Sequence, residues 1–181
     1  MDHKNGCDHT NCTGASANAS VCQTLSEMDW ERGLWYAAFN GDEDRVRMLI
    51  DKARNAREAV NAPDNSGYTP LHYAARKGYV DICNLLLQNG AQVNATTKSG
   101  KATPLHKAAA AGQIETVKLL IKSGASVDFQ DVDGQTALHK AIQYQHVALI
   151  GILLEACPGL DNIKDIKGKI AADYNKPSPK D

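Results

Sequence analysis

Thr69-Pro70-Leu71-His72 recurs along the chain as Thr103-Pro104-Leu105-His106 and again as Thr136-Ala137-Leu138-His139. The leucine of the motif recurs after 34 residues in the first interval and after 33 residues in the second. A period in this range is typical of arrays in which one small supersecondary unit stacks on the next. The sequence therefore predicts a solenoid of at least three similar units.

Local signals within one unit predict two short helices. Thr69 suits a helix N-cap, and Pro70 suits the first helical position, where its missing N–H costs nothing. Gly78 supplies a left-handed C-cap, and a second apolar helical pattern ends in the same way at Gly90. The turn residues 97–100 predict a hairpin-like finger between two units. Helices this short are stable only when they pack on their neighbours.

One unit resembles the ankyrin repeat at nearly every signature position. These positions are Gly67-Tyr68-Thr69-Pro70-Leu71-His72-Tyr73-Ala74-Ala75-Arg76-Lys77-Gly78, Leu85-Leu86, Gly90-Ala91 and Val93-Asn94-Ala95. The resemblance covers about residues 30–175 and implies an all-α ankyrin-repeat solenoid of helix-turn-helix units with hairpin-like fingers. It also implies that His72, His106 and His139 are structural groups that bond to backbone where two units meet.

The chain is expected to divide into a leader, a repeat domain and a tail. Residues 1–24 hold almost no large apolar side chains and predict a flexible leader, and residues 176–181 predict a frayed tail. Within the ankyrin repeat domain at 28–175 we expect units at about 30–62, 64–96, 97–130 and 131–163 and a partial cap at 164–175. The first unit is degenerate, with a polar excess at 53–59.

Two departures from the repeat pattern are expected to change the structure locally. The third unit has one extra residue between Gly100 and Thr103, which should lengthen its finger or move Lys101 outward. The fourth unit has Gln145 where the others have glycine. A left-handed cap at Gln145 would cost roughly 1 kcal/mol.

Composition and charge exclude several classes of function. The chain carries 20 basic and 21 acidic residues, so no global field draws it to nucleic acid or to an anionic membrane. No apolar run approaches the roughly 18 residues of a membrane span, and the first thirty residues lack a secretory signal. We expect a monomer in the cytoplasm, the nucleus or both.

Catalytic motifs do not occur in the sequence. It has no phosphate-binding glycine loop, no dinucleotide-binding glycine pattern, no serine nucleophile elbow and no zinc-protease helix motif. The glycines that it does have are assigned to caps and turns. We therefore expect neither an enzyme nor a cofactor.

Two alternatives to a simple binding module remain open. The repeated histidines cannot share an ion, because stacked helices lie about 8–10 Å apart and ligands of one zinc ion only ~4 Å. The leader is the better candidate for a metal or redox role, through Cys7, His9, Cys12 and Cys22. Val93-Asn94-Ala95 resembles the finger-base pattern that asparaginyl hydroxylases modify in this family, so Asn94 is a second alternative.

The positions that vary between units predict where a partner binds. The resemblance implies a protein partner on a concave face formed by the finger tips and the exposed side of each first helix. Tyr68, Arg76 and Tyr144 are the predicted anchors, because aromatic and arginine side chains dominate interface energetics. The remaining predicted contacts are Phe39, Asn40, Asn65, Ser66, Lys77, Lys98, Ser99, Lys101, Val132, Asp133, Gln135 and Gln143.

Charge along the array predicts the chemistry of the partner. Residues 98–122 hold five lysines and one glutamate, whereas residues 131–155 hold one lysine and three acids. Together with Arg76 and Lys77, this makes the middle of the array basic. We expect an acidic segment of a protein to dock there. Nucleic acid is the weaker hypothesis, because no arginine-rich stripe or aromatic stacking platform accompanies the lysines.

Overall fold

The computed structural model describes residues 33–175, which form α-helices and no β-strand. The predicted all-α architecture is confirmed for this part of the chain. In chain order the helices are α1 Leu34–Asn40, α2 Glu43–Lys52, α3 Ala56–Asn61, α4 Pro70–Lys77, α5 Val80–Gln88, α6 Pro104–Ala110, α7 Ile114–Lys122, α8 Ala137–Gln143 and α9 Val147–Ala156.

The helices are arranged as four pairs, α1/α2, α4/α5, α6/α7 and α8/α9, and these pairs are stacked in sequence order. Each first helix contacts the first helix of the next pair, so α1, α4, α6 and α8 form one continuous layer. The second helices α2, α5, α7 and α9 form the layer behind it and also contact their neighbours. This is the solenoid that the repeat period predicts.

The core runs along the stack between these two layers. The motif leucines Leu71, Leu105 and Leu138 are at most 1% exposed, and the second helices add equally buried residues. These are Leu86, Leu120, Leu149 and Leu153. Because every unit buries its leucines partly against the next unit, no unit can exclude water alone. No helix of residues 33–175 is both long enough and apolar enough to cross a membrane.

Helix ends follow the predicted capping. Thr69 is the N-cap of α4 and forms a capping box with His72, and Thr103 and Thr136 do the same in the next two units. Gly78 ends α4 in the left-handed conformation, with φ of 81°. Gln145 adopts the same region without being glycine, with φ of 62°. The fourth unit therefore keeps the left-handed turn at the conformational cost expected for a side chain there.

The first unit contains a helix that the sequence pattern does not predict. Residues 53–59 read as a polar excess, but α3 occupies Ala56–Asn61. Asn55 caps this helix by accepting the backbone N–H of Glu58 at 3.3 Å, and the helix fully buries one of its own side chains, Val60. One buried valine and one cap are too weak a pattern to reveal a six-residue helix from sequence.

The fingers between units lean on one another through single backbone hydrogen bonds. The N–H of Lys98 donates to the carbonyl of Ser66 at 3.1 Å, and the N–H of Val132 donates to the carbonyl of Gly100 at 3.0 Å. Lys101, next to the extra residue of the third unit, is exposed and has φ of 47°. The insertion is thus absorbed in the finger, and the helices on either side keep their stacking.

The C-terminal end of the stack is closed by a short cap. A 3-10 helix at Leu160–Asn162 follows α9, and a second at Ala171–Asn175 packs on α8. Leu160 and Ala171 are fully buried. Tyr174 places its ring 6.0 Å from that of His139, in an edge-to-face contact. The cap covers the apolar side of the last full unit, which would otherwise meet water.

Candidate functional site

The repeated histidines are hydrogen-bonded on both ring nitrogens. Nδ1 of His72 accepts the backbone N–H of Thr69 at 3.1 Å, so its proton lies on Nε2. That nitrogen donates to the carbonyl of Ala102 in the next finger at 3.0 Å. His106 and His139 make the equivalent bonds, at 3.0 and 3.3 Å to carbonyls one unit further on. The predicted structural role at the junctions between units is confirmed.

Burial keeps the rings of His72 and His106 neutral. Desolvation lowers the pKa of His72 to about 4, and it lowers the pKa of His106 as well, against the opposing effect of their carbonyl bonds. The charge of Lys107 also lowers the pKa of both rings. Such histidines hold the stack together and leave no free nitrogen for chemistry.

Three of the fingers are organised by an aspartate. Asp64, Asp131 and Asp165 each accept two backbone N–H groups of their own finger through Oδ1, at 2.8–2.9 Å. The other carboxylate oxygen bonds the side chain nine residues further on, in the first helix or cap: Tyr73 at 2.6 Å, Lys140 at 2.8 Å, and Tyr174. Each finger is thereby tied to the element that follows it.

The tyrosine contacts shift the acidity of their partners. The hydrogen bond from Tyr174 lowers the pKa of Asp165 to about 2. Burial, followed by the bond to Asp64, raises the pKa of Tyr73 above its usual value. Asp165 is therefore ionised, and its carboxylate is fully engaged in holding its finger.

The third unit departs from this arrangement. Its finger has Thr97 in place of the aspartate, and Thr97 Oγ1 accepts the backbone N–H of Ala102 at 3.1 Å. The residue of α6 that corresponds to Tyr73 and Lys140 is Lys107. Among residues 33–175, Lys107 forms no ion pair, and its Nζ lies 4.8 Å from the centre of the Tyr68 ring.

A groove opens around Lys107 on the surface formed by the fingers and by α1, α4, α6 and α8, which we call the inner face. One part, of about 400 Å³, is lined by Arg76, Lys107, Ala110, Ala111 and Tyr144. An adjoining part of about 240 Å³ shares Lys107, Ala110 and Tyr144. It continues between the third and fourth fingers along Gly100, Ala102, Asp131, Val132, Asp133 and Lys140. The groove spans three units.

Aromatic rings form a cluster beside the groove. Tyr68 stacks on Tyr73 with ring centres 5.4 Å apart, and Phe39 meets Tyr73 edge-on at 6.1 Å. Lys77 covers the outer end of this cluster, with Nζ 4.2 Å from the centre of the Phe39 ring. The first helices thus present aromatic surface flanked by two lysines, Lys77 and Lys107.

Most predicted contact residues lie at the surface, and the groove brings four of them together. The exposed ones are Asn40, Asn65, Ser66, Arg76, Lys77, Lys98, Ser99, Lys101, Val132, Asp133, Gln143 and Tyr144, while Phe39 and Tyr68 are half-buried. Arg76, Val132, Asp133 and Tyr144 line the groove. Tyr144 is 55% exposed and Val132 52%, which is high for apolar side chains.

Gln135 does not belong with these surface residues. It is only 7% exposed, and its side-chain amide donates to the hydroxyl of Tyr174 at 3.1 Å and accepts from Lys140 at 2.6 Å. The sequence prediction of a contact at Gln135 is corrected by this burial. Tyr174 of the C-terminal cap and Lys140 take up the hydrogen-bonding groups of this amide.

Lys107 is the groove residue that sequence reasoning missed. Its signal lies in the comparison of units, because it follows the motif histidine just as Tyr73 and Lys140 do, while the finger aspartate of its unit is missing. Taken alone, Lys107 is an ordinary helical lysine. Taken together with Thr97, it is a lysine whose finger lacks the aspartate that Lys140 pairs with in the next unit.

The two alternative sites fall differently. Cys7, His9, Cys12 and Cys22 lie outside the described residues. Within residues 33–175 no group of three side chains could hold a metal ion. Cys83 is buried, and burial raises the pKa of its thiol to about 12, which keeps it unreactive.

Asn94 lies at an exposed turn and joins two units. Its Oδ1 accepts the N–H of Ser126 at 2.9 Å, and its Nδ2 donates to the carbonyl of Gly124 at 3.3 Å. Asn61 makes the same pair of bonds to the following unit. The structure gives Asn94 a role in stacking, and its modification stays a prediction.

Comparison with known families and proteins agrees with the repeat pattern. The family model described as "Ankyrin repeats (3 copies)" matches residues 12–97 and 95–165. Human ankyrin repeat domain-containing protein 39 is 51% identical over 86 residues, which are 48% of this chain and 45% of that protein. The bovine protein of the same name is 53% identical over 68 residues, or 38% of this chain and 35% of that protein.

A further relative matches a similar share of the chain. Mouse 2-5A-dependent ribonuclease is 37% identical over 93 residues, which are 51% of this chain but only 12% of that protein. The chain spans less than half the length of the human and bovine ankyrin repeat domain-containing protein 39.

Proposed function

The chain belongs to the ankyrin repeat family, and on that premise we propose that it is a non-catalytic module that holds a protein partner on its inner face. Ankyrin repeats indicate a protein-protein interaction module. The observation that carries the finer proposal is the groove around Lys107, which adjoins exposed Tyr144 and Val132. Exposed aromatic and aliphatic side chains beside unpaired cations are the composition of a binding surface.

The proposed contact surface follows from exposure. It keeps the predicted residues of the inner face, adds Lys107, and omits Gln135. Tyr144 and Arg76 are its anchors, because both are exposed at the groove and neither is needed to hold a finger in place. Monomeric state and a cytoplasmic or nuclear location remain predictions that accompany this proposal.

Paired substitutions on the two faces test the proposal. Affinity capture from cell lysate is compared for the wild-type chain and two double variants. One is the inner-face variant Arg76→Ala/Tyr144→Ala. The other is Lys122→Ala/Glu155→Ala on the second helices, whose exposed side we call the outer face. Lys122 and Glu155 are exposed on α7 and α9, so their loss is a matched control. The inner-face variant should lose the specific partners that the other two retain, at unchanged melting temperature. Retention by the inner-face variant with loss by the outer-face variant would move the site to the second helices.

A further inference from the structure

We propose that the groove binds a carboxylate side chain of the partner between Arg76 and Lys107, next to an apolar or aromatic residue on Tyr144 and Val132. The partner is thus an acidic segment with an adjacent apolar anchor. This inference rests on the proposed function, since it names the chemistry of the ligand at the same surface. The anion is thereby assigned to one place in the groove, and not to the basic middle of the array in general.

The replacement of the finger aspartate creates the site. In the neighbouring units the side chain nine residues after that aspartate is bonded by it, as Lys140 is by Asp131. In the third unit Thr97 carries no charge and bonds its own finger, so no carboxylate of residues 33–175 pairs with Lys107. Lys107 is half-buried, and a partly desolvated cation without a counter-charge is a costly arrangement. A carboxylate from a partner would replace the missing one.

Arg76 supplies the second cation. It is exposed in the last turn of α4 and forms no ion pair among residues 33–175. Among residues 33–175, the larger part of the groove is lined by these two cations and by no acidic residue. The adjoining part is balanced, because Lys107 and Lys140 there face Asp131 and Asp133. The excess of positive charge is therefore confined to the side of Arg76, where an anion is complementary.

The surroundings of the two cations favour a carboxylate over a phosphate. The lining residues Arg76, Ala110, Ala111 and Tyr144 lie at the C-terminal ends of α4, α6 and α8. Carbonyl ends of helices carry partial negative charge, whereas phosphate sites typically use the backbone N–H groups of a helix N-terminus. Within residues 33–175, no helix N-terminus contributes a residue to this part of the groove.

The apolar neighbour of the anion is set by the exposed side chains that flank it. Tyr144 borders both parts of the groove, and Val132 borders the part between the fingers. A partner residue that covers them removes exposed apolar surface from water, which favours association without direction. The charge then fixes which way the segment lies.

Selection from a random dodecapeptide library displayed on phage tests this assignment with the full chain as bait. Peptides selected by the wild type should be enriched in Asp or Glu beside an aromatic or aliphatic residue. Synthetic copies of these peptides should bind about tenfold more weakly to Lys107→Gln and to Arg76→Gln, because each loses a charge-assisted hydrogen bond. Lys122→Gln, which removes a lysine from α7 on the outer face, should bind as the wild type does.

A charge reversal and a restored aspartate extend the test. Selection against Lys107→Glu should enrich Lys or Arg in place of the acids. Thr97→Asp, which returns a carboxylate to the third finger, should weaken the binding of the peptides that the wild-type chain selects. Both variants are first checked for an unchanged melting temperature, and Arg76→Gln provides the answer from an exposed position if either fails to fold.

The failures of the two proposals are distinguishable. Selected peptides without acids that are lost in Tyr144→Ala would overturn the carboxylate assignment and leave the inner face as the binding surface. Peptides that are indifferent to Tyr144→Ala, Arg76→Gln and Lys107→Gln would overturn both. Tighter binding when phosphoserine replaces the selected Glu would reassign the anion to phosphate. Failure to select any peptide would overturn the claim that a linear acidic segment suffices.

Discussion

At the scale of single residues, the motif histidines connect neighbouring units, and burial keeps the rings of His72 and His106 neutral. Each accepts the N–H of its capping threonine on Nδ1 and donates from Nε2 to the next unit, as in His72 to Ala102. Protonation of Nδ1 would place a second donor against that N–H and a charge in the core. The same geometry that joins the units therefore makes them sensitive to acid.

Stability should fall as the pH drops below neutrality. The pKa of His72 in the folded chain is about 4 and that of His106 is also lowered, whereas an unfolded histidine titrates near 6.5. At His72 the unfolded state therefore binds more protons between pH 6.5 and 4, which costs up to about 1.4 kcal/mol per pH unit, and His106 adds to this loss below pH 6.5. Urea denaturation at pH 7.5, 6 and 5 measures this slope.

The acid effect has an internal control. His72→Gln removes one of these two titrating groups. The free energy of unfolding should therefore fall less steeply as the pH drops, by up to about 1.4 kcal/mol per pH unit. An equal free energy of unfolding at pH 7.5 and pH 5 in the wild type would contradict the buried neutral state of these rings.

Thr116 is a residue whose polar atom has no partner. It is 1% exposed in α7, and its Oγ1 is without a hydrogen bond in the described part of the chain. Thr116→Val keeps the shape and the β-branch while removing the unsatisfied hydroxyl, so it should raise the free energy of unfolding by about 1 kcal/mol. Urea denaturation at pH 7.5 is the measurement.

Thr103→Val provides the matched control for this gain. The hydroxyl of Thr103 lies 2.8 Å from Nδ1 of His106 inside a capping box, so the same chemical change should destabilise by about 1–2 kcal/mol. A loss of stability in Thr116→Val would show that its hydroxyl is satisfied in the folded chain.

At the scale of elements, short helices depend on how they end. Gly78 and Gly112 take the left-handed conformation between the two helices of their units, and Gln145 does so with a side chain. The turn is kept in the fourth unit because His146, the next residue, reaches back to the carbonyl of Ala110 at 3.1 Å. Stacking thus enforces a conformation that the local sequence disfavours.

Gln145→Gly should therefore stabilise the fourth unit. Glycine adopts positive φ without a steric penalty, and the expected gain is up to about 1 kcal/mol, reduced by the extra chain entropy of glycine when unfolded. Gln143→Gly, two residues earlier at the last helical residue of α8, should destabilise by up to about 1 kcal/mol because its conformation is helical. Thermal and urea denaturation of both variants are compared, and a shift of the same sign in the two would contradict the argument.

At the scale of the whole molecule, stability is distributed along the stack. Contacts join each helical pair to its neighbours, and the cap at Leu160–Asn162 and Ala171–Asn175 closes the last one. In such an array the unfolding free energy is close to a sum of unit and interface terms. The end of the stack is then the first part to open when its cover is removed.

Truncation after residue 163 should loosen the stack from its C-terminal end. The change removes Lys169 and Tyr174, which bond or contact His139 and Gln135, and uncovers α8. Hydrogen exchange should show loss of protection in α8 and α9 first, with α4 to α7 affected less. A chain that ends at residue 175 is the control and should exchange like the full chain. Uniform loss of protection in all helices would mean that the array unfolds as one unit.

The sequence by itself determined the repeat, the caps and the core of this protein. Thr69, Pro70, Leu71 and His72 each have a role that depends on near neighbours and on period, so the helical pairs and their stacking were predictable. The structural role of His72 was predictable only through the family resemblance, because its partner carbonyl lies 30 residues away at Ala102.

Only the tertiary structure decided which surface residues are available and which charges are unpaired. Gln135 and Val132 look alike as variable finger positions, yet one is covered by the cap and the other faces water. Lys107 and Lys140 are both lysines after a motif histidine, yet within residues 33–175 Lys140 pairs with an aspartate and Lys107 does not. Exposure and ion pairing depend on groups brought together from different units, which local pattern and composition do not contain.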